Sequence, residues 1–330
     1  RIHATPSIIY PWVNPWGLIS ARADLFTTAY QLENLNGTVI RDPSVVAPMF
    51  SVDSTVIFER DYEWGEDSRL THTIEPQAKL TYIPWADHSN LPVFDSNVPQ
   101  ATRANLKRIN RFTGADRVGD TFKLAAGFDT RILDAGGIQR IKLGSTQVFY
   151  FDDRSVQRSA RAFQDGTEYS EIATDFVMDL NDQWAADGEL VWDPDRGDTV
   201  ANRFDIRYRR DVDHVFDIGY RYRRRSFEHI TASTRWLLTP GWTLFAGFDY
   251  SPRNDDFIDN IFGIEYDDCC LTVRVAFRDY KLLPQASAQN DEESEISLGI
   301  QIELKGFNFV GTNLEAEQME RIPGVRSYDL

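Results

Sequence analysis

The chain has 330 residues, room for one large barrel or two ordinary domains, and its formal net charge of −16 is the wrong sign for a nucleic-acid surface. Hydrophobic residues make up 42 %, charged residues 26 %, and the mean hydropathy is −0.41. Such values suit soluble globular proteins and also membrane β-barrels, whose strands are apolar on one side only. No run approaches the roughly 18 apolar residues of a spanning helix, so that route across a membrane is excluded.

The opening "RIHATPSIIY" has neither an initiator Met nor a signal peptide, so the expectation is a processed or cut chain. From there to the end the recurring signal is period-2 alternation. Strands are predicted over 3–12, 17–31, 48–63, 70–84, 119–134, 138–153, 167–180 and 184–193. Further strands are predicted over 200–210, 214–224, 228–238, 242–251, 257–267, 270–280 and 294–305. In "NRFDIRYRR", Phe204, Ile206 and Tyr208 alternate with Asp205, Arg207 and Arg209. Near the end, Ile296, Leu298, Ile300, Ile302 and Leu304 alternate with Glu295, Ser297, Gly299, Gln301 and Glu303. About fifteen strands, each roughly ten to sixteen residues long, match tilted membrane strands better than the five or six residues usual in soluble sheets. The aromatic content of 13 % (8 Trp, 13 Tyr, 21 Phe) serves core packing or interfacial girdles.

Tight turns at 14–17, 134–137, 181–183, 211–213, 239–241 and 267–268 alternate with long connections at 32–47, 85–118, 154–166 and 281–293. This matches short periplasmic turns and long external loops. The expected fold is therefore all-β: an antiparallel transmembrane barrel of the large outer-membrane type over 1–305, followed by a polar periplasmic tail over 306–330. The first strand runs straight into a tight turn and lacks an ascending partner, and an odd strand number is unusual. An upstream part is therefore expected to be missing, because open edges in lipid leave unsatisfied amides.

If the apolar sides face lipid, Asp205, Arg207, Arg209, Asp217, Arg221, Arg223, Arg274 and Arg278 face the interior. They could contact an anionic ligand or pair with one another. No enzyme constellation stands out: His3, His72, His88, His214 and His229 are scattered, and no metal spacing, phosphate loop or nucleophile motif occurs. No catalytic residue, cofactor or metal is expected. The two cysteines, Cys269 and Cys270, are neighbours. In an extended strand their side chains would point to opposite faces and could not readily pair with each other.

"IEPQAKLTYIPWADHSNLPVFDS" (74–96), "NRFTGADRVGDTFKLAAGFDTRILD" (110–134), "QVFYFDDRSV" (147–156), the "DDCC" pair and "SLGIQIELKG" (297–306) together resemble the LptD family, nearly end to end. That resemblance implies an outer-membrane protein of a Gram-negative bacterium that inserts lipopolysaccharide into the outer leaflet. It implies a barrel of about 26 strands, preceded by a periplasmic jellyroll and holding an LptE-type plug lipoprotein. An LptA-type bridge would join through the upstream domain.

By resemblance, Cys269 and Cys270 pair with cysteines of the upstream periplasmic region; two free thiols are the alternative. The last strand, with Glu295, Ser297, Gly299, Gln301 and Glu303 on its polar side, would form one edge of a lateral gate. Leu91, Pro92, Phe94, Asp95 and Ser96 of the long loop would contact the plug, or simply cap the external mouth. A passive porin or a plugged solute receptor is the competing function.

Overall fold

The computed structural model describes residues 1–32, 42–63, 69–158, 165–281, 294–305 and 309–311. It divides into two compact units, one of residues 1–176 with 189–199, the other of 177–188 with 200–330. Every predicted strand is present. Two of the fifteen are interrupted and a three-residue strand follows the last, giving 18 strands among the described residues.

In the first unit the strands are β1 (Ile2–Ala4), β2 (Ser7–Asn14), β3 (Gly17–Ala29), β4 (Ser44–Val56), β5 (Phe58–Glu63), β6 (Arg69–Ile83), β7 (Thr121–Leu133) and β8 (Gln139–Tyr150). All pair antiparallel. Both β1 and β2 lie on β3, and β4 and β5 divide the length of β6 between them. The break at Ile57 has a local cause, since its N–H bonds to the carbonyl of Trp16 in the neighbouring hairpin turn. Strands β9 (Ile172–Asp179) and β10 (Trp184–Asp193) contribute residues to each unit.

The second unit is a meander: β11 (Asp198–Asp211), β12 (His214–Arg223), β13 (Phe227–Thr239), β14 (Trp242–Ser251), β15 (Asp256–Asp267), β16 (Leu271–Lys281), β17 (Ser294–Leu304) and β18 (Phe309–Gly311). Each pairs antiparallel with the next. Strand β18 falls in the region predicted as tail, and the rest of that tail lies outside the described residues.

The two faces of each sheet are inverted relative to a soluble protein. Outward apolar side chains are open: Phe50, Val52, Leu80 and Phe128 in the first unit, and Ile218, Phe248, Phe277, Leu298 and Ile300 in the second. The alternate positions are buried although many are polar, among them Asp24, Glu75, Lys123, Asp129, Asp217, Glu265 and Gln301. A sheet that shows its apolar side and shelters its charges is built for lipid on one face.

Candidate functional site

The 84–120 connection lies on the polar face of the first unit and is packed there. Leu91 and Val118 from the connection join Phe26, Tyr30, Val45, Ala47, Met49 and Ile83 from the sheet side in one apolar cluster. Burying a leucine in this way contributes about 2 kcal/mol. The connection is therefore packed against the sheet. It also carries a short helix, α1 (Arg103–Leu106), capped by the Thr102 hydroxyl, which accepts from the Asn105 N–H at 3.2 Å.

The loop is tied down by two buried charges. Asp116 is fully buried and accepts from the backbone N–H groups of Phe94 (2.7 Å), Asp95 (2.6 Å) and Ser96 (3.2 Å). Arg1 donates to it at 2.7 Å, and the Tyr30 hydroxyl donates as well. Burial alone would raise the Asp116 carboxyl pKa. The Asp95 N–H, the Tyr30 hydroxyl and Arg1 overcome that and hold it well below the usual carboxylate range.

The second anchor is Arg103. From α1 it reaches Asp129 on β7 at 2.7 Å and Asp175 on β9. Its guanidinium occupies the space where a side chain at position 144 would sit, so Gly144 is the residue that lets it in. Gly114, at φ +72°, passes against Asp95 where a Cβ would strike the Asp95 backbone.

The predicted plug contacts divide accordingly. Leu91 is in the core, the Pro92 carbonyl accepts from Arg117 at 3.4 Å, and Asp95 pairs with Arg1 at 2.7 Å. The Ser96 hydroxyl accepts from the Asp116 and Arg117 N–H groups, each at 3.0 Å. Phe94 is the most open of the five, at 67 % exposure, and Asp95 is exposed as well. Leu91, Pro92 and Ser96 therefore build the loop, while Phe94 and Asp95 present a surface.

His88 is also buried; its Nδ1 lies 2.7 Å from the Ala86 carbonyl and its Nε2 is 3.3 Å from the Val118 N–H. A carbonyl on one nitrogen and an N–H on the other fit the neutral ring protonated at Nδ1. Burial, the chief cause, pushes its pKa below the ordinary histidine value.

In the second unit the predicted interior charges share one face, and Asp205, Arg207, Asp217, Arg274 and Arg278 belong to ion pairs there. Arg207 bonds Asp217 at 2.9 Å, and the two sit directly opposite in register. Arg274 bridges Glu265 (2.6 Å) and Glu303 (3.0 Å), with Arg235 also on Glu265 at 2.8 Å. Arg278 meets Asp259 at 3.2 Å, and Asp205 lies 3.4 Å from Arg203. Arg221 lines a cavity on this face, Arg209 is half-buried, and Arg223 is exposed at the end of β12.

On β17, Glu303 belongs to the Arg274 pair and Glu295 accepts from the Tyr280 hydroxyl at 2.9 Å. Ser297 is half-buried, while Gly299 and Gln301 are buried. The strand pairs along all eleven residues with β16 but through only three with β18.

The cysteines lie in a turn, with one strand boundary shifted by a residue. Cys270 was expected to open a strand, but β16 begins at Leu271, and both cysteines lie in the exposed turn after β15. Released from strand geometry, their sulfurs come within 2.9 Å as free thiols. The Cys270 thiol first, then the charge of Asp268, raise the Cys269 pKa.

Sequence reasoning missed Tyr30, Arg103, Asp116 and Asp129 as anchors. Asp116 stood inside the "GADRVGD" motif, but nothing in its spacing pointed to residues 94–96. The carboxylate partners on the second unit were more accessible. Folding "NRFDIRYRR" back about the 211–214 turn places Arg207 opposite Asp217.

The family model for LptD, LPS transport system D, matches residues 1–242. The LPS-assembly protein LptD of Chromohalobacter salexigens is 30 % identical over 99 % of this chain and 44 % of its own length. That of Nitrosococcus oceani is 30 % identical over 96 % and 42 %, and that of Escherichia coli K12 is 26 % identical over 93 % and 43 %. The chain thus spans less than half the length of these relatives. Among solved structures, the ferric enterobactin receptor PfeA of Pseudomonas aeruginosa aligns with a TM-score of 0.37 at 9 % identity, over 90 % of this chain and 53 % of the receptor. With a family match that runs through β1 to the start of β14, the chain belongs to the LptD family.

Proposed function

We propose that this chain forms the C-terminal portion of an outer-membrane β-barrel in a Gram-negative bacterium, and that the complete protein delivers lipopolysaccharide to the outer leaflet. The family match carries this reading. The inverted faces support it, because an apolar side for acyl chains and a hydrogen-bonding side for saccharide suit an amphiphilic cargo. The protein acts as a conduit and carries no catalytic residue.

In this reading β17 is one edge of the lateral gate, its weak side being the one that β18 covers for three residues. Cys269 and Cys270 are joined by disulfides to an upstream periplasmic domain, which also receives an LptA-type bridge. An LptE-type lipoprotein occupies the lumen and meets the loop at Phe94, the most exposed member of the predicted set. Phe94→Ala tests that contact without disturbing the Asp116 anchor, since Asp116 uses only the Phe94 backbone. Unchanged recovery of the lipoprotein with the variant would remove the plug contact.

The function itself is tested by depleting the full-length protein in its host and following newly made lipopolysaccharide to the cell surface. The expected result is retention inside the cell. Delivery at the normal rate would refute the proposal.

A further inference from the structure

At the tight-turn end, the rim of the first unit has a step. Strand β3 starts there at Gly17, opposite Val56 of β4, and β2 stops beside it at Asn14. The neighbouring strand runs on. After Ile57 it continues as β5, in unchanged register on β6. Residues 57–63, about 23 Å of strand, pass beyond the β2–β3 turn. Strand β5 has β6 on one side and, among the described residues, no strand on the other; all of its residues are exposed. Because β2 and β3 stop together, the notch beside it is about 10 Å wide, twice the strand spacing, and admits an added strand.

The backbone is oriented to bond there. In an antiparallel ladder the N–H and C=O of one residue point to one neighbour, and those of the next residue point to the other. Ile57 donates to the Trp16 carbonyl at 2.8 Å, on the β3 side. The backbone groups of Glu59, Asp61 and Glu63 therefore point the same way, into the notch and away from β6. Such an edge is a template for one more strand.

Side chains narrow what the added strand can be. Phe58 and Tyr62, 60 % and 42 % exposed, stand on one side of β5, with Arg60 over the Tyr62 ring at 5.0 Å. Glu59, Asp61 and Glu63 stand on the other side, where Asp61 meets Arg69 and accepts from the Thr71 hydroxyl at 2.7 Å. Three carboxylates against one guanidinium leave that side acidic. A second copy would set the same carboxylates against these, and like charges across a strand pair repel. In a basic segment, alternate lysines or arginines fall opposite Glu59 and Glu63, and the residues between them meet Phe58 and Tyr62.

We infer that the free edge of β5 is a docking site for an extended basic segment of a periplasmic protein, added as a strand beside Glu59, Asp61 and Glu63. The compartment rests on the proposed function, which puts the tight-turn end of the barrel in the periplasm. The docking chemistry rests on the edge itself.

The test uses the full-length protein in nanodiscs and a synthetic peptide that alternates lysine with valine and tyrosine, with the glutamate version as control. Amide hydrogen exchange of β5 is the readout. Without peptide, residues 59, 61 and 63 should exchange rapidly; protection already present means that another part of the protein or a second copy fills the notch, and overturns the inference. At about ten times its dissociation constant the lysine peptide should slow these amides about tenfold, while the glutamate peptide leaves them unchanged. Glu59→Lys/Glu63→Lys should reverse the preference between the peptides. Glu59→Pro removes an N–H from the notch but no ladder bond to β6, so β6 stays protected while the effect of the lysine peptide on residues 61 and 63 falls at least about threefold. No protection up to about 1 mM, equal protection by both peptides, or an unchanged response in both folded variants overturns the site. Glu63→Cys should react with a membrane-impermeant maleimide in cells only after the outer membrane is permeabilised. Reaction in intact cells would overturn the periplasmic partner together with the proposed orientation, whereas periplasmic labelling without peptide binding removes the docking site alone.

Discussion

Replacing Asp116 by Ala withdraws the acceptor that holds residues 94–96 against the loop base. Three backbone donors, the Tyr30 hydroxyl and Arg1 lose their common partner at a fully buried position. Hydrogen bonds to a buried charge are worth about 1.5–3 kcal/mol each, and breaking a buried ionic arrangement costs about 3–5 kcal/mol. Arg1 keeps 30 % of its side chain in solvent and can rehydrate, which places the loss near the lower end, about 3 kcal/mol. That corresponds to about a hundredfold in the opening equilibrium of the loop.

Hydrogen exchange of the membrane-inserted protein measures it directly. Peptides over 91–98 and 112–118 should exchange about a hundredfold faster in Asp116→Ala, while β6 and β7 stay protected. The pH dependence has a definite sign. The folded carboxyl is depressed, so its contribution is complete above the ordinary carboxylate pKa of about 4 and is lost only as pH falls through the folded value. Exchange within about threefold of wild type in a folded variant would show that Asp116 is not the anchor.

His88 gives a different pH response. Its folded pKa is depressed by burial, so the undocked loop takes up the proton first. Docking is then fully favoured above about pH 6.5 and weakens as pH falls below it, by at most about 1.4 kcal/mol per pH unit; tryptic cleavage at Lys107 should rise between pH 7.5 and 5.5. Arg103→Ala strands Asp129 and Asp175 and should destabilise by about 3 kcal/mol in urea unfolding. Gly144→Ala should be damaging with Arg103 present and less damaging in the Arg103→Ala background, where the Asp129 carboxylate still crowds the added Cβ; additivity of the two would refute their steric coupling. Ile300→Arg, on the open apolar face, should cost about 2–4 kcal/mol in refolding into vesicles if that face meets lipid near the midplane, and nothing if it meets water. For the cysteines, the full-length protein should migrate differently on non-reducing and reducing gels, and Cys269→Ser/Cys270→Ser should abolish the difference.

The strands were legible because alternation is a local signal. Phe204, Ile206 and Tyr208 announce one face wherever the chain goes, and turn residues fix most strand ends. The strand boundary beside the cysteines was misplaced by one residue, the strand beginning at Leu271. With both residues in the turn, the strand argument for opposite faces does not apply, and their sulfurs lie 2.9 Å apart. The loop anchors were hidden for another reason. Asp116 reaches back about twenty residues to bare amides, and Arg103 crosses to β7 and β9. Neither contact has a period, and neither depends on the type of side chain at positions 94–96.

The pairing on the second unit bears on how a conduit wall could work. A face of unpaired arginines would grip phosphates and acidic sugars and hold them. Arg207 opposite Asp217, and Arg274 between Glu265 and Glu303, present dipoles whose attraction falls off faster than that of a net charge. Each pair still offers donors and acceptors at its edge, which suits brief hydrogen bonds to a passing saccharide. The hairpin register places these partners side by side, so sliding β12 by one residue against β11 would turn Asp217 to the apolar face and leave Arg207 bare. For a proposed carrier of a polyanionic lipid, the turn at 211–214 therefore sets the stickiness of the wall as much as the arginines do.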